Sequence, residues 1–213
     1  MNDEQLVEAI GAGSDRFDLP VLFYLTHQKQ IEEWASLKST VADAVGEWFQ
    51  TTVRDDLAGL AGELGLVVSY ARGPQKHRSL LLHPHNTPIV GGKPIIGAGF
   101  TWRSGTVNPS TSPPFASVRC SAIAAGKEAR LVFSESGGRA FRESASGKGK
   151  GDNVWPVWWW INTVDNWWTD LDGYRAHVVD NVRRIVIGTK EAVAVAASTA
   201  ASADLTGADD PDE

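Results

Sequence analysis

Apolar positions along this chain fall into three regimes. From about Gln28 to Leu64 they recur at helical spacing. Counted at about 100° per residue from Ile31, Trp34, Val41, Val45, Trp48, Phe49, Val53, Leu60 and Leu64 share one stripe between about 260° and 60°. Glu32, Glu33, Asp43 and Glu47 mostly lie off it, so the pattern predicts a long helix with one buried face. Gly65 ends it as a left-handed cap would. An unbroken rod of this span is about 55 Å long, and Gly46 or the Thr51-Thr52 pair are the places for a break.

Short β-rich runs follow at Leu66 to Ala71, Ser79 to His83, Ile95 to Trp102, Phe115 to Cys120 and Ala129 to Ser134. Gly73-Pro74, Asn86-Thr87-Pro88, Gly91-Gly92, Ser104-Gly105 and Ser112-Pro113-Pro114 punctuate them as turns. Such short connections predict antiparallel neighbours. In the third run Ile96, Ala98, Phe100 and Trp102 share one face, and Ile95, Gly97, Gly99 and Thr101 the other. That second face is nearly flat, so another layer or a ligand could approach the backbone there.

The third regime is dominated by tryptophan: six of the nine lie between Trp155 and Trp168. With Trp155 at 0°, Val157, Trp160, Ile161, Val164, Trp167, Trp168 and Leu171 fall between about 120° and 240°, and polar residues fall opposite. The phase continues through Val178, Val179, Val182, Ile185 and Val186, with His177, Asp180, Asn181, Arg183 and Arg184 on the other side. Asp152 or Asn153 as a cap and Pro156 in a first turn complete the prediction of one helix, or two nearly collinear ones, from Val154 to Ile187. Trp155, Trp158 and Trp159 break the pattern by landing on the polar side. Either neighbouring chain folds over this first turn, or the three rings form a binding patch, a role for which tryptophan is the most enriched residue type.

The resulting fold class is α+β, a central antiparallel sheet of four or five strands flanked by two long amphipathic helices. The 213 residues, 42% apolar, support one core, and residues 1–203 read as a single domain with a short helix near Glu4 to Ile10. Five of the net six negative charges sit in residues 204–213, which read as a disordered acidic tail; the remaining body carries −1. A nearly neutral body has no general attraction for nucleic acid or anionic lipid. The longest apolar run, Val154 to Ile161, is far too short to span a bilayer, and the acidic N-terminus lacks a secretory pattern, so a cytoplasmic protein without membrane contact is expected. The alanine-rich, methionine-poor composition fits high-GC bacterial coding.

Few motifs carry chemistry. His77, His83 and His85 flank one predicted strand and would serve a metal or a hydrolase if they converged, but no acid lies between Ser69 and Thr111. Gly147-Lys148-Gly149-Lys150-Gly151 lacks the Ser or Thr of a phosphate loop, and no Gly-x-Ser-x-Gly occurs. Scattered carboxylates such as Asp55, Asp56 and Glu63 read as solvated charge. Cys120, the only cysteine, sits beside Arg119, which would lower its pKa; an inert buried thiol is the plainer reading. No catalytic residue, metal ligand or cofactor is assigned.

The function expected is therefore an interaction module that binds a protein partner, or itself, through Trp155, Trp158 and Trp159. The alternative is single-stranded nucleic-acid binding, in which Arg142, Lys148 and Lys150 of the Gly-rich segment at residues 137–153 contact phosphates beside the stacking rings, with Arg72, Lys76 and Arg78 in support. A hydrolase using His83 and His85 is the third reading.

Overall fold

The first apolar stripe folds as an almost unbroken rod. In the computed structural model, which describes residues 19–73, 76–105, 112–144, 153–162 and 167–202, α1 runs over Leu19–Trp48, a single π-helical turn over Phe49–Val53 and α2 over Arg54–Leu64. Gly65 stops it in the left-handed conformation, at φ 67° and ψ 36°. The π turn falls on the Thr51-Thr52 pair and corrects the helical phase. On uniform α geometry the buried Val53, Leu57, Leu60 and Ala61 would centre about 100° away from Val45. The extra residue taken up by a turn of i→i+5 bonds removes about that much rotation, so both halves of the rod aim at one core. Trp34 and Val41, placed on the buried stripe by the sequence, are exposed. Among the described elements α1 makes extensive contact only with the π turn that continues it.

Five strands form one antiparallel sheet: β1 (Val67–Arg72), β2 (His77–His83), β5 (Ile96–Arg103), β6 (Phe115–Cys120) and β7 (Val157–Trp160), in the order β1-β2-β5-β6-β7. Between β2 and β5, β3 (Ile89–Val90) and β4 (Lys93–Pro94) make a separate hairpin. Its turn, Gly91-Gly92, has φ of 55° and 72°, the doubly positive backbone that tight hairpins need. Four of the five predicted strands are present to within two residues, and the α+β class holds.

Two assignments are corrected. The run Ala129 to Ser134, expected to be a strand, is helical: residues 129–133 belong to helix α3 (Ala124–Phe133) and Ser134 opens the turn that follows. The buried Ala125, Ala129 and Phe133 of α3 recur every four residues, and its alanines favour helix. The chain then turns at Ser134–Gly138, with Gly137 at φ 107°, into α4 (Arg139–Ser144), so part of the Gly-rich segment at residues 137–153 is helical. The second correction concerns Val154 to Ile187, which is not one helix. Residues 157–160 are the edge strand β7, a 3₁₀ turn follows at Trp167–Thr169, and α5 spans Leu171–Ala201. Asp170, rather than Asp152 or Asn153, caps α5, its Oδ1 accepting from the Gly173 N–H at 2.9 Å. Tryptophan and valine favour strands, and β6 offers Val157–Trp160 a pairing partner that the local pattern does not reveal.

Most of the predicted stripe of α5 holds: Val178, Val182, Ile185 and Val186 are buried, and it continues through Ala192, Val193, Ala196 and Ala200, while Val179 is half-buried and Asn181, expected on the polar side, is buried. α5 packs on α3, β5 and β6. With the lower end of α1, the π turn and α2, these helices cover one face of the sheet, where Phe49, Leu57, Leu80, Phe100 and Val118 meet in a common core. No helix among the described residues is long and apolar enough to cross a membrane. The predicted helix at Glu4 to Ile10 and the tail at 204–213 lie outside the described residues.

Candidate functional site

Alternation along β7 separates the tryptophans that helical phase had grouped. Trp159 points to the helix side with Val157, is 9% exposed, and donates its indole N–H to Asn181 Oδ1 at 2.9 Å. The Arg184 guanidinium lies 5.8 Å from its ring centre. Trp158 and Trp160 point to the other face, where β6 sets Phe115 opposite Trp160. The Phe115 ring is the hub of an aromatic cluster: Trp155, Trp158 and Trp160 stand edge-on to it at centroid distances of 5.6, 5.7 and 5.5 Å. His77 closes the cluster from β2, 5.0 Å from Trp155 and 5.7 Å from Phe115.

Of the predicted trio, Trp155 and Trp158 thus stay together and half-buried, while Trp159 is on the far side of the sheet. The most exposed ring of the cluster is Trp160, at 50%. Sequence reasoning had placed Trp160 on a buried helical stripe. The available signal was period two: Trp158 and Trp160 share a strand face as soon as Val157–Trp160 is taken as extended.

Of the three basic residues, Arg142 is divided from Trp158 and Trp160. Arg142 is exposed on α4, whose Phe141 packs beside Trp159 and above Gly188 of α5, on the helix side. Trp158 and Trp160 occupy the opposite face. Lys148 and Lys150 lie outside the described residues.

Behind the cluster, the face of the sheet opposite the described helices is polar and buried. Ser79, Thr101 and Ser117 form a row across β2, β5 and β6, with oxygen separations of 2.9 and 3.0 Å. Arg119 is buried beside it and donates from Nη2 to the Arg72 carbonyl at 3.2 Å. At the flat Gly97 and Gly99 face, β2 itself closes onto the backbone. A Cβ on Gly97 would meet Leu81 Cβ at 3.0 Å, and one on Gly99 would overlap the Leu80 carbonyl.

The histidines do not assemble into a site. His77 and His83 stand at opposite ends of β2, about 20 Å apart by strand geometry, and His85 is exposed in the following turn. His83 Nδ1 lies 3.0 Å from the Pro84 carbonyl, which can only accept, so Nδ1 carries the proton and Nε2 accepts from the Ser69 hydroxyl at 2.8 Å. The orienting group is a carbonyl, which lacks the charge that stabilises an imidazolium in a Ser-His-Asp arrangement. Burial is the main cause holding His83 below its ordinary pKa; the Pro84 bond opposes it and His85 adds to it. Among the described residues no group of three or more His, Cys, Asp or Glu side chains is placed to hold a metal. Cys120 is fully buried, and burial pushes its thiol up to about 12 against the weaker pull of Arg130 and Arg119, so it is a core thiol.

One cleft, of about 340 Å³, opens where α1 passes the ends of β2 and β5; Asp43 and Glu47 line one side, and Arg78 and Arg103 the other. Comparison with protein-family models, curated proteins and solved structures finds no match to this chain.

Proposed function

We propose that this chain is a protein-interaction module that binds its partner through the aromatic edge at β7, with Trp160 as the anchor and Trp158, Trp155 and Phe115 as its support. The observation that carries the reading is the half-exposed Trp160 ring on the terminal strand of the sheet, held edge-on against Phe115 and, at 5.0 Å, against Trp158. The buried Phe115 and the half-buried Trp158 hold the ring in place before binding. A preorganised indole is the type of group that dominates binding energy at protein interfaces.

The test is to recover proteins from the native cells on the immobilised full chain, purify any that binds stoichiometrically, and compare its affinity for wild type and Trp160→Ala. A hot-spot ring predicts at least about 30-fold weaker binding by the variant. Unchanged far-UV circular dichroism would show that the fold survives. Equal affinities, or no stoichiometric protein partner, overturn the reading. Single-stranded oligonucleotides titrated at several salt concentrations form the second arm, because phosphate contacts weaken steeply as salt rises.

A further inference from the structure

The upper part of α1 carries an apolar seam that is largely exposed, with His27 and Ile31 half-buried. Tyr24, His27, Ile31, Trp34, Lys38 and Val41 alternate at spacings of three and four. From one heptad to the next they drift by about 20°, the drift that a left-handed pair of helices takes up by supercoiling. Farther along, the same seam enters the protein's own core at Val45. Above that point Phe23, beside the seam, is 60% exposed, Tyr24 42% and Trp34 70%. At about 150–250 Å² per aromatic side chain, those three rings leave roughly 350 Å² in water, and Leu37 and Val41 bring the stripe to roughly 500 Å². That exceeds what most monomers expose in one patch, and two copies together reach the roughly 1,000 Å² at which specific interfaces begin.

The seam is also symmetric about its midpoint, between Glu32 and Glu33. Turned end for end onto itself, it matches Ile31 with Trp34, Tyr24 with Val41, and His27 with Lys38. The two polar positions then meet each other, and every other layer is apolar. A shift of one heptad either way sets Lys38 against Trp34 or His27 against Ile31. A parallel pairing sets Lys38 against its own copy, like charge facing like charge. The other charges on this stretch, Lys29, Glu32, Glu33 and Asp43, all lie on the outer side and sum to −2. Such a helix has no basic face for anionic lipid. We propose that α1 pairs antiparallel with α1 of a second copy of this chain, burying the seam from Tyr24 to Val41 in a two-fold symmetric contact. This surface is distinct from the aromatic edge at β7, and the proposal stands or falls separately from that reading.

Sedimentation of the full chain over a wide concentration series tests it. The expected result is a reversible monomer–dimer equilibrium that Trp34→Glu weakens at least about tenfold, with unchanged circular dichroism because that ring is in solvent. Cysteine cross-linking under a mild oxidant such as copper phenanthroline tests the register. The double variant His27→Cys, Lys38→Cys should give a covalent dimer, since the two positions meet across the pair but lie about 16 Å apart on one helix, too far to bridge internally. His27→Cys alone should not cross-link. Four outcomes overturn the proposal: a wild type that stays monomeric throughout, a dimer indifferent to Trp34→Glu, cross-linking by His27→Cys alone, or a monomer that instead adsorbs to phosphatidylserine vesicles.

Discussion

The indole N–H of Trp159 and the side-chain carbonyl of Asn181 meet at 2.9 Å, tying the edge strand β7 to α5 across the helix-covered side of the sheet. Asn181 is held for this role by its own amide, which donates to the His177 carbonyl at 2.9 Å. Both residues are buried, so water cannot replace a missing partner. Asn181→Ala leaves the indole donor stranded and should destabilise the protein by about 1–3 kcal/mol. Urea unfolding would show a lower midpoint with an unchanged slope; an unchanged midpoint would mean the bond holds nothing.

Glycines at two positions should respond in opposite directions. Gly99→Ala forces a methyl group into the Leu80 carbonyl of the neighbouring strand, a backbone clash that no side-chain rotation relieves. A loss of at least about 2 kcal/mol is expected. Gly59 sits exposed on α2 with open space around its missing Cβ, so Gly59→Ala should stabilise by roughly 0.5–1 kcal/mol. Thermal melts of the two variants would check both signs.

Stability should fall on mild acidification. His83 is held neutral by burial, so its pKa in the folded chain is below the unfolded value of about 6.5. In that window the unfolded chain binds the extra proton, and stability rises with pH. The contribution is complete above about pH 6.5 and is lost as the pH falls from there through the folded pKa. His83→Gln, which cannot titrate, should flatten this dependence in urea midpoints measured across the range. A wild type that grows more stable as the pH drops through it would contradict the assignment.

Cys120 should resist thiol reagents in the native state. A buried thiol raised to about 12 has almost no thiolate at neutral pH, and its 0% exposure bars approach. Labelling by iodoacetamide is expected only after denaturant is added. Rapid modification of the folded chain would show that β6 opens locally.

The sheet and the first rod were legible because their signals are local. Gly65 sits where a left-handed cap is needed, and the runs at 67–72, 77–83, 96–103 and 115–120 are bounded by turn residues. Val154 to Ile161 misled because neither face of β7 is plainly polar. Trp159 is buried under the helices and Trp158 is half-buried in the aromatic cluster, so the alternation that marks a half-solvated strand is missing. The helical phase of Val178 to Val186 was real and was extended backwards through Trp167 by coincidence. Phe115 as a hub could not be read at all, since it is brought to Trp155, Trp158 and Trp160 by strand pairing between distant segments.

The π turn at Phe49–Val53 acts as a fixed joint between shaft and body. Its one surplus residue decides the compass bearing at which the free end of α1 presents Trp34, while the anchored end keeps Val53 and Leu57 seated. Removing Thr52 would regularise the coil yet swing the shaft by roughly a quarter turn. The body would be intact and the rod would face the wrong way for any neighbour.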